Sequence, residues 1–120
     1  MTKKGDRKML KKLRKYMHFD WEGFVENKKL VLLGIRDWKD FNTGRELGVK
    51  AECVIAMDKT DYGEAGVNNL YEKIIVKIPH KINIPIGKEI ELRNVQAKVY
   101  GDYGNQLSVI AEDIQPVSTK

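Results

Sequence analysis

Apolar positions along the chain change their spacing once, near residue 29. Before it, Met9, Leu10, Leu13, Tyr16 and Met17 recur at helical intervals with basic residues between them, which predicts an amphipathic basic helix capped by Asp6. Such a stripe most commonly docks on its own domain. A stripe meant for a lipid interface would be better served by Trp or Phe, and here Phe19, Trp21 and Phe24 come after it, where they are expected to anchor the arm to the body. From Lys29 onward the helical period gives way to short runs of β-branched residues punctuated by Gly, Asn, Asp and Pro.

These runs predict five strands. Leu30–Asp37 is the first, 40–44 a turn, and Leu47–Met57 its antiparallel partner. Ala51, Cys53, Ile55 and Met57 then share one face, and Lys50, Glu52, Val54 and Asp58 the other, so Cys53 belongs to the core. Residues 59–70, with Gly63, Gly66 and Asn68-Asn69, have the composition of a mobile loop. Tyr71–Ile78 is a third strand, with Tyr71 packed in the sheet and Pro79 ending it. Glu89–Tyr100 alternates through Ile90 and Leu92, then through Val95, Ala97 and Val99, which predicts a bulge or bend near Asn94. A tip at 101–105 leads to the last strand, Leu107–Ile114. The fold class expected is all-β: a five-stranded OB-like Greek-key barrel preceded by an N-terminal basic amphipathic helix, with a β-sandwich or SH3-like barrel as the rival. Residues 1–19 form the arm, 20–116 the barrel and 117–120 a polar tail.

Composition narrows the picture. The 120 residues are 42% hydrophobic and 32% charged, the make-up of one soluble domain. The longest apolar run, Leu30–Ile35, is far short of the roughly 20 residues of a membrane span, and no secretory signal opens the chain, so a cytoplasmic protein without membrane contact is expected. Charge is uneven. Residues 1–16 hold Lys3, Lys4, Arg7, Lys8, Lys11, Lys12, Arg14 and Lys15 against one acid, so the arm carries +7 and the rest of the +5 chain carries −2. An arm of that kind seeks polyanions; the plain alternative is a solvated, self-repelling tail.

Catalytic chemistry finds no foothold. His18 and His80 are not spaced as a pair, and with a single cysteine no zinc quartet assembles. Phosphate loop, nucleophile elbow and dinucleotide fingerprint are all missing. Asp58, Asp61 and Glu64 fit no known cation loop and read as solvated acids. No enzyme, cofactor or metal is expected, and function falls to surfaces. The first hairpin offers Arg36, Trp38, Lys39, Phe41 and Arg45, and the last offers Lys98, Tyr100 and Tyr103, with Tyr62 a lesser candidate. In an OB barrel these two loops flank a nucleic-acid groove, where aromatics stack on bases and cations meet phosphates. Trp38 plugging the barrel end and Tyr100 pairing across strands are the competing readings.

The segments Ile74–Pro79, Glu89–Ala97 and Ile110–Ile114 carry an I-x-V-x-I-P strand, an E-L-x-N-x-x-A strand and an A-x-D-I ending. In these the chain resembles, over about residues 71–115, small accessory proteins of conjugative transposons. The resemblance implies an OB-type single-strand binder, some relatives acting as helicase-processivity factors in rolling-circle replication. The function expected is therefore non-enzymatic binding of single-stranded DNA in mobile-element replication or transfer. The alternative is a module recruiting a helicase or relaxase through the arm, and duplex or RNA binding is a third reading.

Overall fold

The structure, a computed structural model, describes residues 9–13 and 17–118. One short helix, α1 (Trp21–Val25), precedes five strands: β1 (Lys28–Lys39), β2 (Glu46–Asp58), β3 (Lys73–Ile78), β4 (Glu89–Tyr100) and β5 (Gln106–Pro116). They close into a barrel in the order β1-β2-β3-β5-β4. Every neighbouring pair is antiparallel except β3 and β5. A single closed sheet removes the sandwich rival and fits the OB-like barrel.

Period-two burial builds the core. Val49, Ala51, Cys53 and Ile55 of β2 point inward beside Ile74, Val76 and Ile78 of β3 and Val109 and Ala111 of β5. Each large aliphatic side chain removed from water contributes about 1.5–3 kcal/mol. Burial pushes the Cys53 thiol up to about 12, with Glu52 adding to it, so the group is a small apolar filler rather than a nucleophile.

Of the bulge or bend expected near Asn94 in β4, no bulge forms against β5. Inward positions switch from Ile90 and Leu92 to Val95 and Ala97, but in β5 they switch at the same level, from Val109 and Ala111 to Ile114. Leu92 pairs with Ile114 and Val95 with Ala111, so register holds through the switch. Asn94 makes the turnover with φ 52° and donates from Nδ2 to Glu112 Oε1 at 2.8 Å. Both strands turn over together, which an inserted residue in one strand could not achieve.

The N-terminal helix expected over the arm is not formed among the described residues. Met9–Lys12 carry no regular structure, Lys12 has φ 60°, and only Leu13 falls in a 3₁₀ turn; Asp6 and Tyr16 lie outside the described residues. Nor does the stripe dock, since Met9, Leu10, Leu13 and Met17 are 53–79% exposed. A short helix in water is marginal without an apolar face to bury, and lysines four apart repel. The helix instead forms at Trp21–Val25, where Asp20 accepts from the Gly23 N–H at 3.0 Å as N-cap. Trp21 enters the core, Phe19 and Phe24 pack edge to face at 5.3 Å, and together they hold this segment to the barrel.

Two further expectations change. Tyr71 lies outside β3, with φ 69° and its side chain 71% exposed. Residues 59–70 are tied down by Asp58, which accepts from Thr60 N–H at 3.1 Å, Tyr62 O–H at 2.7 Å and Asn69 N–H at 2.7 Å. Lys28 Nζ lies 3.5 Å from the same carboxylate, both side chains being sealed from water, and donates to Phe24 O and Thr60 Oγ1. Sequence alternation placed Asp58 on the solvent side, but the loop folds over it.

Candidate nucleic-acid interface

Strand pairing brings basic side chains into one row. Arg36 of β1 pairs with Lys50 of β2, and Lys50 pairs with Lys77 of β3. Residues directly opposite share a face, and the inward neighbours Val49, Ala51, Val76 and Ile78 are buried, so the row lies on the outer face. None of the three is ion-paired to an acid among the described residues. Like charges set directly opposite destabilise a sheet.

Trp38 joins this row from the end of β1. Its partner Gly48 has no side chain, and the indole is met by Lys77, whose Nζ stands 5.5 Å from the ring centroid. The indole is half-buried on the outside, so it does not plug the barrel. Only glycine suits position 48: its φ is 152°, and a Cβ there would run into the Ile78 carbonyl oxygen. On the other side of Lys77 a cleft of about 430 Å³ is lined by Ile75, Lys77, Lys98, Tyr100, Leu107 and Ser108. Trp38, Lys77, Lys98 and Tyr100 thus follow one another across β1, β3 and β4.

The two hairpin loops bracket this face. Ile78 at the end of β3 pairs with Val49, just inside the β1–β2 turn, whereas β5 starts four residues before Ile110, the partner of Lys77. One loop therefore lies beyond each end of β3. In the β1–β2 turn Asp40 Oδ1 accepts from Asn42 N–H and Thr43 Oγ1 from Arg45 N–H, while Gly44 takes φ 73°. That tight turn leaves Phe41 99% exposed at its tip; Tyr103 stands 89% exposed on the other loop. Lys39 and Arg45 are exposed beside Phe41. In the arm Lys11 and Lys12 are exposed, and Lys3, Lys4, Arg7, Lys8, Arg14 and Lys15 lie outside the described residues.

Lys50 and Lys77, central to the row, escaped sequence reasoning. Each sits at a polar position of an alternating strand, but a polar position in one strand says nothing of its neighbour until the pairing register is known. Tyr62 is committed elsewhere, since its hydroxyl donates to Asp58 and accepts from Asn69 Nδ2 at 2.9 Å. Hydrogen bonding governs Asp58: burial would raise its pKa, but bonds from Asn69, Tyr62 and Thr60 outweigh it and hold the carboxyl well below the usual range. Among the described residues no three His, Cys, Asp or Glu side chains gather as a metal site, and no helix is long and apolar enough to cross a membrane. Comparisons with protein-family models, curated proteins and solved structures return no match.

Proposed function

We propose that this protein binds single-stranded DNA without catalysis, laying the strand across the outer face of its barrel. The observation that carries the reading is the row Arg36, Lys50 and Lys77, cations abreast on three adjacent strands with no paired acid among the described residues and an indole beside them. A polyanion supplies the missing counter-charge, and Trp38, Tyr100, Phe41 and Tyr103 offer ring faces to unpaired bases. The +7 arm adds phosphate contacts. Likeness of residues 71–115 to accessory proteins of conjugative transposons supports a role in mobile-element replication or transfer, in the cytoplasm, alongside a helicase or relaxase.

Titration of a labelled oligothymidylate over a range of salt tests it. Neutralising about five phosphates gives a log–log slope near −3.5. Lys77→Ala and Lys50→Ala each reduce its magnitude by about 0.7, and deleting residues 1–16 reduces it further. Trp38→Ala instead weakens binding by about 1–3 kcal/mol with the slope almost unchanged. No binding at micromolar protein in low salt, or equal competition by duplex DNA, overturns the reading.

A second reading has its own observation, the exposure of Met9, Leu10, Leu13 and Met17. These side chains suit a partner protein, and Met9→Glu with Leu13→Glu would abolish capture of a helicase or relaxase while sparing every basic residue.

A further inference from the structure

The parallel contact between β3 and β5 is short, joining only Val76 to Val109 and Lys77 to Ile110. Toward the start of β3 the two strands diverge, and the barrel wall stays unsealed along that seam. A crevice of about 450 Å³ opens there, a volume within the range of small-ligand pockets. Its floor is apolar, made by Phe19, Phe24, Ile55 and Leu107, and its rim carries Asn69, Asn105 and Gln106. Phe19 and Phe24 reach the seam because α1 is held against the barrel, so the N-terminal segment builds one wall and the β4–β5 loop the other.

The rim is chemically unspent. The side-chain amides of Asn105 and Gln106 make no hydrogen bond among the described residues, and Asn69 uses Nδ2 on Tyr62 but leaves Oδ1 free. An amide presents donor and acceptor side by side, which suits the edge of a heterocyclic base. Glu72 and Lys73 both stand at the rim, and Lys73 lies 3.6 Å from Glu52, so the mouth has no surplus of positive charge to draw a phosphate. The crevice favours a flat, neutral, hydrogen-bonding group. It also runs into the cationic cleft, for Ile75, Tyr100 and Leu107 line both.

We propose that this crevice is a base subsite: one unstacked nucleobase of the strand carried on the cationic face turns inward past Tyr100, lies on the Phe19–Phe24 floor and meets the amides of Asn105 and Gln106. The inference rests on the strand-binding reading above. It gives the interface a floor that interacts with bases rather than phosphates, and makes the N-terminal segment part of the site.

Photo-cross-linking of the full-length protein to a 5-iodouracil-substituted oligothymidylate, with peptide mapping by mass spectrometry, tests it. The expected adducts include Phe19 or Phe24. Asn105→Phe, which fills the crevice from the rim, removes those adducts and weakens oligonucleotide binding about tenfold, the worth of one stacked base. Adducts confined to Trp38, Phe41, Tyr100 or Tyr103, or adducts at Phe19 that persist in Asn105→Phe, overturn the subsite and leave the outer face standing. An oligonucleotide that does not bind at all overturns the strand-binding reading and the subsite together.

Discussion

Single residues decide how firmly the barrel holds its loops. The Lys28–Asp58 pair is sealed from water and hydrogen-bonded from several sides, so removing one partner leaves the other charge buried alone. Asp58→Ala is expected to cost about 3–5 kcal/mol in chemical denaturation. Because the folded carboxyl titrates below its unfolded value, the stability it contributes is present above about pH 4 and lost as pH falls below it. His80 behaves in the opposite sense. Its Nδ1 lies 2.8 Å from Lys81 O and its Nε2 3.0 Å from Glu112 O, so both nitrogens face acceptors, an arrangement that favours the charged ring. The Lys81 carbonyl, with Glu112 O and Asp113 behind it, raises the pKa despite some desolvation. Its contribution is therefore complete below about pH 6.5 and lost as pH rises through the higher folded value. Melting curves between pH 5.5 and 9 should show that decline, and His80→Ala should flatten it. Neither role was legible in sequence, because each partner set is completed by a group from a more distant segment: Asn69 lies eleven residues from Asp58, and Glu112 lies 32 from His80.

At the level of elements, runs of β-branched residues, alternating or continuous, between Gly, Asn, Asp and Pro located all five strands, because each strand buries one face that repeats every second residue. Alternation also marked the turnover near Asn94, but not its form, which depends on β5 turning over at the same level. The form has a measurable consequence. A branched side chain is poorly accommodated at φ 52°, so Asn94→Val should lose about 1–3 kcal/mol, whereas Asn94→Gly, which gives up only the bond to Glu112, should stay close to the parent protein in urea melts. The arm misled for the converse reason: helical spacing states which face could be buried, and Met9, Leu10, Leu13 and Met17 find nothing here to bury it against. Trp38 and Tyr100 were legible as interface candidates from their positions near the hairpin loops. Their meeting with Lys77 was not, since it spans three strands.

For the whole molecule, charge and shape are divided unequally. The first sixteen residues carry +7 and the remainder −2, yet that remainder sets Arg36, Lys50, Lys77 and Lys98 together on the outside of β1, β2, β3 and β4. Arg36, Lys50 and Lys77, set opposite one another across the strands, repel, and dissolved ions screen that repulsion. Adding sodium chloride should consequently raise the melting temperature of the free barrel and, on the proposed reading, weaken DNA binding, two responses of opposite sign from one origin. Replacing Lys50 with Gln should shrink both at once in paired calorimetric and binding titrations, and a melting temperature indifferent to salt would mean that the resting protein bears no such burden.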